Sequence, residues 1–176
     1  MSVDLSQTTR ITPRSGALRR LSVTLRTPTP VNTEFAAVAL GPYGALSGDH
    51  LVSATHPTTL DDSLALQPTE VSPETPRLTI ALDRLDQSAW AVAMVVAVDT
   101  SHAPGTVAVV VVHDDEDAIR EIELRELGGA SVAVFTIASR DYDDWELAPE
   151  RVEYAVDVTQ ALASIGVQTH DDGDPE

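Results

Sequence analysis

Short apolar segments with a two-residue period, broken by turn residues, leave this chain little choice of architecture. Leu21, Val23 and Leu25 alternate with Ser22, Thr24 and Arg26, and Leu78, Ile80 and Leu82 repeat the spacing. Successive side chains of a β-strand point to opposite faces, so this pattern fits strands with one face buried. Phe35 to Leu40 is closed by the turn sequence Gly41-Pro42-Tyr43-Gly44, and Leu51 to Thr55 by His56-Pro57. Ala91–Val98 and Thr106–Val112 are continuous apolar runs rich in valine, which predicts strands covered on both faces or near the centre of a sandwich. Ile119, Ile122 and Leu124 lead into Gly128-Gly129, and Val132 to Ile137 is apolar again. Trp145 and Leu147 flank Glu146, while Val152, Tyr154 and Val156 alternate with Glu153 and Ala155. Roughly ten short strands with turns between them indicate a β-sandwich or barrel.

One short helix is expected near the C-terminus. Asp157 can cap it, with Gln160 completing a capping-box pattern. Val158, Ala161, Leu162 and Ile165 then fall on one helical face, and Gly166 is a suitable stop. Asp115 to Leu127 has both a helical reading, with its charges in solvent, and a hairpin reading, which the neighbouring strands favour. Pro-rich Gln67 to Pro76 reads as a loop. The fold class is therefore all-β, a two-sheet β-sandwich with one short C-terminal helix. It forms one domain over residues 1–167, followed by a disordered acidic tail at 168–176.

The charge balance excludes several partners. Asp and Glu number 28 against 11 basic residues, for a net charge of −17. All the basic residues are arginine, as either a high-GC codon bias or adaptation to salt would produce. Binding to duplex nucleic acid or to an anionic membrane requires clustered cations, so neither is expected, whereas cationic partners are allowed. With no cysteine there is no thiolate for zinc, an iron–sulfur cluster or nucleophilic catalysis. No segment approaches the ~20 apolar residues of a membrane-spanning helix. The start, Met1-Ser2-Val3-Asp4, lacks a basic-then-apolar leader, which predicts a cytoplasmic protein.

Catalytic signatures are missing as well. There is no Gly-x-Ser-x-Gly elbow, no Gly-x-Gly-x-x-Gly turn and no lysine for a phosphate-binding P-loop. The five histidines include no helical i, i+4 pair. The run His113-Asp114-Asp115-Glu116-Asp117 lacks the glycine and alternate-residue spacing of an EF-hand loop and reads as a hairpin tip. Asp141, Asp143 and Asp144 around Tyr142 read as a turn, and Trp90 and Trp145 as core or rim packing. No enzyme activity is expected.

The order of local signatures resembles the TerD-like family of tellurium-resistance and stress-response domains. Met1-Ser2-Val3-Asp4-Leu5 is similar to that family's opening. Val31 to Gly41 stands where the family carries Phe-Asp-Leu-Asp-Ala-Ser-Ala-Phe-Leu-Leu-Gly. Asp49 to Pro57, Leu78 to Leu82 and Val107 to Leu124 resemble later strands, and Arg140 to Val167 resembles the family's ending, with Trp145 and Ile165-Gly166-Val167 in register. The resemblance implies a β-sandwich and a role in multiprotein complexes responding to tellurite or other chemical stress. It also implies calcium binding in some members. The matching positions here are Asn32 and Glu34, followed by Glu70 and Glu74. Asn32 replaces a carboxylate, and prolines stand where the family has a Gly-Asp loop. Calcium takes six to eight oxygens, so this substitution pattern predicts a degenerate site and no resident cofactor. The expected function is that of a non-catalytic binding or scaffold module in a bacterial stress-response assembly, with other proteins, related Ter-type proteins included, as partners. The alternative is a β-sandwich structural subunit of a larger assembly, for which a homo-oligomer is open.

Overall fold

The computed structural model describes residues 19–27, 33–46, 50–53, 56–68, 76–98, 108–114, 117–124, 132–142 and 144–167. Among these the strands in chain order are β1 (Arg20–Arg26), β2 (Thr33–Gly41), β3 (Gly44–Ala45), β4 (Leu51–Val52), β5 (Leu64–Pro68) and β6 (Pro76–Ala81). They continue as β7 (Ala91–Val98), β8 (Ala108–Asp114), β9 (Asp117–Leu124), β10 (Val132–Asp141), β11 (Asp144–Leu147) and β12 (Glu153–Ala155), before the helix α1 (Val158–Ser164). Two antiparallel sheets result. One is five-stranded in the order β5-β6-β1-β8-β9; the other is seven-stranded along β11-β10-β7-β2-β3, with β12 beside β10 and β4 beside β2. The expected two-sheet sandwich with one short helix is what the chain forms.

The two-residue period sorts side chains as expected. Leu21, Val23, Leu78, Ile80, Val110 and Val112 from one sheet meet Phe35, Val92, Met94, Val96 and Ile137 from the other in a single core. The seven-stranded sheet is covered on its second face too. There Ala161 of α1 packs with Ala36, Val95, Val132 and Val134. This double cover is the reason Ala91–Val98 is apolar at nearly every position. The helix starts as its local signals require: Asp157 accepts from the Gln160 N–H at 2.7 Å, and the Gln160 side chain accepts from the Val156 N–H at 2.8 Å. It ends in a Schellman motif, Gly166 N–H to Ala163 C=O at 3.1 Å and Val167 N–H to Leu162 C=O at 3.0 Å. Gly166 has φ +84°, and its Cα lies so near Gly44, itself at φ +111°, that a Cβ there would stand 3.1 Å from the Gly44 Cα. Two glycines thus let the end of α1 press onto the β2–β3 hairpin.

Several boundaries differ from the sequence reading. The loop expected at Gln67–Pro76 begins and ends in strand: β5 and β6 pair through Gln67↔Arg77 and Pro68↔Pro76. Proline cannot donate to a ladder, which hid β5, but β5 is an edge strand and tolerates it. Leu82 leaves the strand and opens a 3-10 turn, Leu82–Arg84, while its side chain stays in the core. Val152 packs against the core as expected, but the face reverses beyond it. Tyr154 and Val156 are exposed, and Ala155 packs beneath α1. Within Asp115–Leu127 the described residues, Asp117–Leu124, form a strand and not a helix, with β8 and β9 paired from Ala108↔Leu124 to Asp114↔Asp117.

Candidate functional site

The chain has seven aromatic residues, two Phe, two Trp and three Tyr. Phe35, Phe135 and Trp145 are buried; Tyr43, Trp90, Tyr142 and Tyr154 are exposed. In so aromatic-poor a chain, rings left in water need a reason, because burying them would stabilise the fold. Three of the four stand on one rim of the seven-stranded sheet, and the register brings them there. Ala91, the first residue of β7, pairs with Leu40 on one side and Ser139 on the other. One residue earlier, the Trp90 N–H donates to Leu40 C=O at 2.7 Å and its C=O accepts from the Arg140 N–H at 2.8 Å. Just beyond these strand ends lie the two hairpin turns: Tyr43 follows Gly41, which pairs with Gly44, and Tyr142 follows Asp141, which pairs with Asp144. Strands spaced ~4.8 Å apart place β2 and β10, the two neighbours of β7, about 10 Å from each other at this rim.

Side-chain bonds tie the rim together. Trp145 is buried beneath it, with the Arg140 guanidinium 4.8 Å from its ring centroid. Arg140 also donates to the Gln87 C=O at 3.1 Å, which ties the segment before β7 to the β10–β11 hairpin. The same segment is turned by Asp86, whose carboxylate accepts from the Ser88 N–H at 2.8 Å and from the Ser88 hydroxyl. Those bonds hold Asp86 below the usual carboxylate range. Tyr142 sits at φ 56°, in the left-handed region that L-residues other than Asn, Asp and Gly seldom enter. Exposed carboxylates, Asp141 and Asp144, flank it. The arrangement offers aromatic faces bordered by negative charge, which suits contact with cations and with a partner's surface.

The residues singled out for calcium fare differently. Glu34 is exposed on β2, opposite Ala97, about 20 Å along the strand from the rim at Leu40. Asn32, Glu70 and Glu74 lie outside the described residues. Among the described residues no group of three or more His, Asp or Glu is placed to hold a metal. Sequence reasoning assigned Trp90 to core or rim packing and Tyr43 and Tyr142 to turns. The available signal was the type of residue in those turns, an aromatic where Gly, Asn or Asp is usual.

A scan against protein-family models found no match, and neither did a search of curated proteins. Among solved structures, SAV2460, a protein of unknown function, is similar with a TM-score of 0.63 and 16% identity, over 87% of this chain and 100% of its own. SCO6318 from Streptomyces coelicolor A3(2), a homologue of telluride resistance protein TerD, matches with a TM-score of 0.49 and 16% identity, over 78% of this chain and 87% of its own. The likeness to SAV2460 is one of fold. Among the described residues no helix is long and apolar enough to cross a membrane.

Proposed function

We propose that this chain is a non-catalytic binding module of the TerD-like kind, acting in the cytoplasm within a bacterial stress-response assembly, and that it docks a cationic segment of another protein on its aromatic rim. The observation that carries this reading is the exposure of Tyr43, Trp90 and Tyr142 side by side on a hydrogen-bonded rim, while three other aromatics are buried. Interfaces are enriched in aromatic side chains, and a guanidinium or ammonium over a Trp or Tyr face gains about 0.5–2 kcal/mol. Charge complementarity selects the partner: Asp141 and Asp144 border the rings, and the whole chain carries −17. The stress-response setting rests on the ordered sequence resemblance across residues 1–167. The calcium site of that family is taken to be degenerate here, from the substitutions at Asn32 and in the proline-bearing segment that holds Glu70 and Glu74.

The test is a titration with a synthetic peptide alternating Arg and Gly, followed through Trp fluorescence and calorimetry. A triple variant, Y43S/W90S/Y142N, keeps the net charge and hence all non-specific attraction. The affinity should fall about tenfold or more in the variant, as expected for the loss of two or three cation–π contacts. An affinity unchanged within about threefold would overturn the reading. Light scattering on the free protein separates the other occupant: self-association lost in the triple variant would assign the rim to a second copy and refute the cationic partner.

A further inference from the structure

The outer face of the five-stranded sheet carries a different kind of site. A cavity of about 710 Å³ opens there, lined by Arg20, Ser22, Gln67, Arg77, Thr79 and Asp117. The register explains the convergence. Ser22 is directly opposite Thr79, and Gln67 opposite Arg77. Arg20 stands two residues before Ser22 on the same strand and so on the same face. Arg77 is held in place by its bond from Nη2 to Ser22 Oγ at 2.9 Å, and Ser22 is only 6% exposed beneath it. A guanidinium has five N–H groups, and that bond uses one of them. Next along β1, Arg26 is paired with Glu121 at 3.2 Å, so that carboxylate is already engaged by a cation.

We propose that this cavity binds a small phosphate monoester of a polyol, such as a sugar phosphate. The phosphate lies between Arg20 and Arg77, and the hydroxyls meet Asp117. Arginine is the side chain best matched to phosphate oxygens, and two of the chain's few cations line this one cavity. Asp117 sets the rest of the ligand. A bare anion would leave that carboxylate facing like charge, whereas a polyol brings O–H donors to it. No aromatic ring lines the cavity among the described residues, so nothing there stacks a nucleobase. The volume falls in the ~300–1,000 Å³ range of small-molecule sites. The net charge of −17 does not decide the matter. At physiological salt the Debye length is about 8 Å, so distant carboxylates are screened while arginines in contact with phosphate are not.

Calorimetry on the full chain, with ribose 5-phosphate as probe and ribose and inorganic phosphate as comparisons, tests this directly. Ribose 5-phosphate should bind saturably with a Kd below about 1 mM, inorganic phosphate more weakly, and ribose not at all. Arg20→Gln and Arg77→Gln should each weaken ribose 5-phosphate about tenfold or more. Asp117→Asn should weaken ribose 5-phosphate but not inorganic phosphate. Arg20 is exposed, so its variant tests the site even if Arg77→Gln disturbs the sheet. No saturable heat with ribose 5-phosphate up to ~10 mM, or binding that survives Arg20→Gln unchanged, overturns the proposal. The rim variant Y43S/W90S/Y142N should bind ribose 5-phosphate as the parent does.

Discussion

Replacing Tyr142 by Asn should make the protein more stable and a poorer binder. Tyr142 is 93% exposed, so its ring contributes little burial. A tyrosine presents roughly 200 Å², of which on the order of 15 Å² is covered here, worth about 0.4 kcal/mol at ~25 cal/mol per Å². Against this stands its backbone at φ 56°. The left-handed conformation costs an ordinary L-residue about 1–2 kcal/mol, and Asn avoids most of that through its local hydrogen bonding. The difference favours Asn by about 0.5–1 kcal/mol, or a rise in Tm of about 1–4 °C for a chain of this size. Tyr43→Asn is the control: Tyr43 is fully exposed and is not among the residues with positive φ. It should leave Tm within ~1 °C. Scanning calorimetry on the parent and both variants reads the effect. If Tyr142→Asn lowers Tm, or raises it no more than Tyr43→Asn does, the ring serves the fold, and the claim that it is kept for binding loses its ground.

Gly166→Ala should destabilise by about 2–3 kcal/mol and lower Tm by about 4–10 °C, since its Cβ combines a left-handed backbone with a 3.1 Å approach to the Gly44 Cα. Asp61 couples stability to pH. Burial alone would raise its pKa, but hydrogen bonds from the Ser63 hydroxyl, the Ser63 N–H and the Thr59 hydroxyl outweigh that and hold it below the ordinary value. Its contribution is therefore present above the unfolded-state pKa and is lost as pH falls through the folded one; urea melts should show Asp61→Asn flattening the acid limb below about pH 4. Adding ~1 mM calcium after chelation should shift Tm by less than about 3 °C, no more than magnesium does, because a micromolar site would add about 4 kcal/mol and a correspondingly larger shift. A large calcium-specific shift abolished by Glu34→Gln would show the opposite.

Local signals were legible in the sequence wherever the deciding interaction was local. The capping of α1 by Asp157 and Gln160 and its stop at Gly166 need only neighbouring residues, and they stand as read. The apolar runs of β2 and β7 were legible because a central strand covered on both faces leaves almost no polar position. β5 was hidden because Pro68 reads as a breaker and only its pairing with β6 reveals an edge. The reversed face at Tyr154 and Val156 was hidden because α1, not the central core, supplies the cover for Ala155. The rim could not be read at all from spacing. Tyr43 and Tyr142 belong to different hairpins and Trp90 to the segment before β7, and they meet only through the register that pairs Ala91 with both Leu40 and Ser139. The cavity at Arg20 and Arg77 likewise exists only once β1 and β6 are neighbours.

The central claim is that the aromatic rim is a docking surface for a cationic protein segment, and the most direct test is a footprint at residue resolution. Amide chemical shifts of the ¹⁵N-labelled protein, followed through a titration with the Arg-Gly peptide, report where it sits. Saturable shifts are expected at Tyr43 and Gly44, from Asp86 to Ala91, and from Ser139 to Trp145, with the Trp90 indole N–H moving and that of buried Trp145 nearly still. Shifts spread over the acidic surface at large, or centred on the β8–β9 hairpin around Asp114 and Asp117, would contradict it.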